Sequence, residues 1–283
     1  MTERSIDAQD DARDRAKDNP PGGFDIGVPS VARMYDYYLG GKDNYRADRE
    51  ASEELSKAAP GTRALAINNR RFLQRAVRVL ASEYGVRQFL DHGSGLPTQD
   101  NVHQIAQRID PASRVVYIDH DPIVLAHGRA ILADNDRTTV ITADFRDTDA
   151  IMNNADVTKL IDFTEPTAAL FVSVLHCLPD SDEPAALVER VMDRLAPGSF
   201  VVISHLVSAD SEVRKRLSDF MLTATQGNWG RVREAADVET YFSGLELLAP
   251  GLVEVSTWRP DATPGPTQET AEWIEFGGVA RKL

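Results

Sequence analysis

The chain has one cysteine, Cys177. A lone thiol cannot close an internal disulfide, and it leaves no cysteine cluster for a structural zinc. The six histidines do not replace it, because they show no His-Glu-x-x-His or similar spacing, and no metal is expected. Long apolar runs are also missing. Nothing approaches the ~20 residues of a membrane span. Where an export signal would need an apolar stretch, the sequence places Asp7, Asp10, Asp11, Asp14 and Asp18. The expectation is a cytoplasmic protein with no membrane partner. Positive charge is short as well. Lys and Arg number 31 against 44 Asp and Glu, a net charge of -13. That balance argues against general nucleic-acid binding, which draws its affinity from basic side chains.

What is present suits one substantial core: 283 residues, 42% of them hydrophobic. Residues 1–23 mix charges with few large apolar side chains and end in Pro20-Pro21-Gly22-Gly23. Such a stretch cannot offset its ordering entropy, so it reads as a disordered tail. Residues 24–283 are expected to form a single domain, with a helical cap over 24–84 and a sheet core over 85–283. In the cap, Val31, Met34, Tyr35 and Tyr38 repeat at helical spacing between Pro29 and the Gly40-Gly41 stop. Further helices are expected over 48–58 and from 62 to 80.

Beyond the cap, apolar runs at 88–91, 115–119, 139–144, 168–174 and 199–206 alternate with helical stretches at 99–108, 122–133 and 183–195. Nearly continuous apolar strands separated by helices require a parallel sheet covered on both faces. Two more strands, 252–258 and 273–280, lack a helix between them and should pair antiparallel. The predicted fold is doubly wound, Rossmann-like α/β with seven strands, five parallel plus a C-terminal antiparallel pair.

The first strand runs into Asp91-His92-Gly93-Ser94-Gly95. Two glycines there allow a sharp turn and a close backbone approach to a ligand at the carboxyl edge of the sheet. The second strand ends in Asp119, with His120 and Asp121 following, and the third in Asp144 and Phe145. A carboxylate after the second strand suits a ribose diol, and an acceptor after the third suits an adenine amino group under an apolar cover. Each acid also reads as a helix N-cap, Asp121 before Pro122 above all. A dinucleotide fingerprint needs glycine where Thr98 stands, which weakens a nicotinamide-dependent oxidoreductase.

These motifs resemble the class I S-adenosylmethionine-dependent methyltransferases. More narrowly, Pro29-Ser-Val-Ala-Arg-Met-Tyr-Asp-Tyr-Tyr-Leu-Gly-Gly-Lys-Asp-Asn-Tyr45 resembles an actinobacterial group of S-adenosyl methyltransferases formerly labelled a domain of unknown function. So do Asn69-Arg-Arg-Phe72, Gly93-Ser-Gly-Leu-Pro-Thr98, Leu175-His-Cys-Leu-Pro179 and Gly277-Gly-Val-Ala-Arg281. Pro97 departs from the third glycine of many members. The resemblance implies S-adenosyl-L-methionine as cofactor. It implies that Asp91, Gly93, Ser94 and Gly95 line its methionine part, and that Asp119 binds the ribose beside His120 and Asp121. Asp144 and Phe145 would hold the adenine. Ser173 to Leu175 would flank the donor sulfur and methyl.

Methyl transfer can run on positioning and desolvation, and it needs a base only when the acceptor must lose a proton. His176 is the candidate base, with His205 also near the expected mouth. Arg33 or Arg70 is placed to pair with the cofactor carboxylate. Tyr35, Tyr38, Gly41 and Asn44 suit a lid over a small-molecule acceptor. The stretch 217–224 and Trp229 would form the opposite wall, or a homodimer surface. A cofactor-binding protein without transferase activity is the second reading, separable only by assay.

Overall fold

The structure, a computed structural model, describes residues 25–97, 100–121, 123–126, 128, 135–268 and 272–283. The expected tail at 1–23, Thr98 and most of the helix expected at 122–133 lie outside the described residues; within the last stretch, 123–126 are helical.

Among the described residues three helices come first: α1 Val31–Tyr38, α2 Arg46–Ala58 and α3 Thr62–Glu83. Asp48 ties the start of this block together. Its carboxylate accepts from the Ser30 and Tyr45 backbone N–H groups at 2.9 and 2.8 Å and pairs with Arg33 Nε at 2.7 Å. Both partners of the pair are buried, so the two helix starts are fixed relative to each other.

The sheet follows: β1 Gln88–His92, β2 Arg114–Asp119, β3 Thr138–Thr142, β4 Ala168–Val172, β5 Phe200–Val207, β6 Glu246–Leu247, β7 Val253–Glu254 and β8 Ile274–Arg281. Strand order is β3-β2-β1-β4-β5-β8-β6, with β7 also pairing β8. β1 to β5 are parallel and β8 is antiparallel to β5 over its full length. Among the described residues the sheet has eight strands, where seven were expected. The run at 252–258 is a two-residue β7, and β6 takes a second short stretch of the same edge of β8.

Helices cover both faces, including α4 Val102–Ile109, α5 Thr148–Met152, α6 Ala155–Leu160, α7 Pro184–Asp193, α8 Ser211–Ala224 and α9 Ala235–Glu239. One core joins α7 and its neighbours to Ile118, Phe171 and Ile203; another joins α3 and α4 to Phe89, Val202 and Trp258. A third lies beyond the sheet, where Met34, Tyr38, Leu55 and Leu65 of the cap pack with Leu206, Leu217, Met221, Trp229 and Trp273. Leu217 and Met221 of α8 are therefore covered within the chain. Among the described residues, no helix is long and apolar enough to cross a membrane.

Candidate functional site

Strand order reverses between β1 and β4, and the crevice outside the carboxyl ends at such a switch point is where doubly wound sheets bind ligands. A cavity of about 600 Å3 opens there, roofed by α1, α3 and the end of α8. It lies within the volume range of small-molecule sites.

One end is polar. Gly93 (φ +66) and Gly95 (φ +64) both take left-handed backbone angles. A Cβ on Gly93 would stand 2.4 Å from Val174 Cγ2, so no side chain fits. Ile118 O receives the Gly93 and Ser94 amides at 2.8 and 3.2 Å, which pins the turn to β2. Asp119 completes the brace: one carboxylate oxygen accepts from the Gly95 N–H and the other from the Asp121 N–H, each at 2.9 Å. Burial raises its pKa against those donors. Asp91 ends β1 beside it, and burial pushes its pKa up to about 7 against the pull of Arg70. Asp121 accepts from the Ile123 N–H at 2.8 Å, as its N-cap reading required, and from Ser30 Oγ at 3.4 Å. His120 is exposed at the rim.

The other end is apolar and aromatic, lined by Met34, Leu65, Met221, Trp229 and Trp273. Ser173 (φ +59) stands between the two ends, just past β4. Anionic acceptors and tightly turned glycines at one end and an apolar chamber at the other suit a cationic, hydroxylated ligand meeting an apolar one.

A family profile described as S-adenosyl methyltransferase matches residues 17–283. The chain belongs to the S-adenosyl methyltransferase family. Its cofactor is S-adenosylmethionine, and its class is the S-adenosylmethionine-dependent methyltransferases. Two crystal structures are similar along nearly the whole chain. One, from Thermobifida fusca and bearing the provisional name of a methyltransferase, is 42% identical, with 93% of this chain and 98% of that one covered at a TM-score of 0.85. The other, a protein of the DUF574 family from Streptomyces avermitilis, is 38% identical, with coverages of 92% and 99% and a TM-score of 0.86. A search of curated proteins finds no match.

Within this methyltransferase fold, the cavity gathers Asp91, Gly93, Ser94, Gly95, Asp119, His120, Asp121, Ser173, His176, Arg33, Tyr35 and Tyr38. Six expected residues lie elsewhere. The Asp144 carboxylate is bound by Arg146, whose Nε lies 2.9 Å from each oxygen, and this holds its pKa low. Phe145 packs into the core against Ile118 and its neighbours, and Leu175 is fully buried in the same cluster. Gly41 and Asn44 close a turn behind Asp36, which receives the Asn44 amide at 2.8 Å. A Cβ on Gly41 would stand 1.9 Å from Asp36 Oδ1, so the turn requires glycine there. His205 points to the opposite face of β5 from Ser204 and Leu206, as strand alternation demands. There it meets Arg233, with Nε2 3.0 Å from Nη1.

Four residues that do line the cavity have other commitments. Arg33 is bound to Asp48, and its guanidinium also lies over the Tyr45 ring at 5.4 Å. His176 is buried, and burial with the nearby Arg233 charge pushes its pKa to about 3, leaving a neutral, weakly basic imidazole. Tyr35 and Tyr38 hold their hydroxyls on Ala66 O (3.1 Å) and Ser52 O (2.7 Å). Asn69 and Trp273 join the lining with no role assigned to them from the sequence. Their positions in amphipathic or apolar runs look the same as core positions.

Proposed function

We propose that this chain transfers a methyl group from S-adenosylmethionine to a small molecule seated in the apolar half of the cavity. The observation that carries the reading is the continuity of one cavity from the braced Asp119–Gly95 turn to the Trp229–Met221 wall.

The residues fit the cofactor. Asp91 offers a buried carboxyl to an ammonium group, and Arg70 on α3 faces the same space with the charge for a carboxylate. Asp119 retains acceptor capacity for a ribose diol, since each of its oxygens has accepted one backbone N–H and carries a further lone pair. The glycine backbone leaves room for the amino-acid tail. Asp144 has no part in this assignment, and the exposed His120 and the buried Leu96 would flank the adenine end. Bound S-adenosylmethionine supplies an electrophilic methyl on a cationic sulfur. The chain then positions the acceptor and keeps water out, which for a good leaving group is the larger share of the work. His176 acts as a wall against Trp229, with ring centroids 4.8 Å apart. The cap roofing the cavity favours a small acceptor over a macromolecular one. Residues 24–283 act as one domain in this proposal.

Titration calorimetry with S-adenosylhomocysteine tests it. Asp119→Ala should weaken binding roughly tenfold to a hundredfold, the loss expected for hydrogen bonds to a charged group. Trp229→Ala should leave that affinity intact and lower methyl transfer to any acceptor that turns over. Unchanged affinity in Asp119→Ala would move the cofactor elsewhere.

A further inference from the structure

Glu275 is the second residue of β8 and pairs with Leu206 of β5. Residues directly opposed across strands share a face, so Glu275 stands with Leu206 and Ser204 on the side covered by α3, away from His205. It is 1% exposed, and neither carboxyl oxygen finds a hydrogen-bond partner among the described residues.

The neighbours explain why. Ser204 Oγ accepts from the Ser173 N–H at 2.9 Å and donates to Asn69 Oδ1 at 2.7 Å, so its single proton is committed. Asn69 Nδ2 in turn donates to the Tyr35 hydroxyl at 3.0 Å. The Ser204 and Ser173 hydroxyls lie near enough to favour the carboxylate, without closing a hydrogen bond of ordinary geometry. Burial outweighs them and pushes the pKa up to about 8.

Among the described residues, the other groups around it supply no counter-charge. Tyr35 on α1 and Cys177 after β4 feel the Glu275 charge, and burial pushes each to about 12. On α3, Arg70 acts on Asp91 and Tyr35, and Arg75 is bound to the carbonyl oxygens of Val255 and Trp258. An unpartnered buried carboxyl costs stability. This one lies under Ser173, Tyr35 and Cys177, all of which line the cavity.

We infer that Glu275 is the counter-charge for the cofactor's sulfonium, ionising when the cationic methyl donor occupies the space above Ser173 and regaining a proton when the sulfur becomes neutral. The inference rests on the cofactor placement proposed above. The cycle balances. Binding sends the Glu275 proton to solvent. Methylation of an O–H or N–H acceptor frees one proton while the carbon–sulfur electron pair stays on sulfur, and the carboxylate takes one proton back. The device favours the charged donor over its neutral product, which helps the product leave.

The test compares S-adenosylmethionine with S-adenosylhomocysteine by titration calorimetry from about pH 6.5 to 9. Both carry the ammonium that faces Asp91, so the titration of Asp91 enters both affinities, and comparison with Glu275→Gln removes the difference that the sulfonium makes to the titration of the ammonium itself. The expected result is a preference for the donor that grows severalfold up to about pH 8 and then levels off, because an ionised partner is favoured only by the cation. Glu275→Gln should abolish this rise. A wild-type ratio that does not rise, or a rise that persists in Glu275→Gln, overturns the inference. The wild-type curve decides alone should the variant fail to fold. If both ligands bind and depend on Asp119 but the ratio is flat, only the Glu275 inference fails. If Asp119→Ala leaves both affinities unchanged, the cofactor placement fails first.

Discussion

At the residue scale, two glycines of one motif do different work. Gly93 has a left-handed φ and no room for a Cβ, since Val174 occupies that space. Gly95 shares the left-handed angle, but nothing lies within 4 Å of its Cβ position. Gly95→Ala should therefore cost only the backbone strain, about 1–2 kcal/mol. Gly93→Ala adds displacement of Val174 and should cost more, with binding of S-adenosylhomocysteine lost as the turn shifts. Denaturant melts of the two variants, alongside calorimetry, check the order. Equal losses would mean that the Val174 contact does not shape the turn. The motif itself was readable in the sequence because glycine at a strand end has few other uses. The structure turns Asp144 away from the cavity for a local reason. Arg146, two residues on, folds back onto the carboxylate, and sequence spacing does not show which partner an acid takes.

At the element scale, the helical cap is held by Asp48. Removing this carboxylate leaves the buried Arg33 guanidinium without its anion, a loss of about 3–5 kcal/mol for a buried pair. Asp48→Ala should loosen α1 and α2 first, because Ser30 and Tyr45 N–H groups lose their acceptor in the same step. Hydrogen exchange should quicken in α1 amides while β1 and β2 keep their protection. Uniform acceleration across the sheet would show that the cap and core unfold together. Helices and parallel strands of the core were legible from apolar periodicity. The short β6 and β7 were not, because two-residue strands are fixed by their pairing with β8 and not by a pattern of their own. α8 showed an amphipathic face, but only the tertiary structure shows that the cap covers it.

At the scale of the whole molecule, the cavity concentrates buried acids in a chain that is already acidic overall. Asp91 and Glu275 hold their protons to about 7 and about 8 in the native state, whereas in an unfolded chain they ionise near pH 4. The native state therefore binds more protons through that window, and stability falls as pH rises through it. The buried His92, His176 and His205 have lowered pKa values and matter only below about pH 6.5, where the unfolded chain protonates. Above that point the carboxyls remain, and the loss from pH 6.5 to 9 is on the order of 2 kcal/mol. Denaturant melts across that range should show the decline, and it should shrink in Glu275→Gln. No sequence signal marks Glu275, since one acid in an apolar strand reads as an outward-facing position until the fold buries it.

The most direct measurement of the central claim is a crystal structure with S-adenosylhomocysteine. The ribose should lie on the Asp119 carboxylate and the amino-acid tail against the Gly93–Gly95 backbone, with the sulfur near Ser173 facing the Trp229 chamber. Electron density for the ligand outside this cavity, or inside it with the ribose away from Asp119, would contradict the account.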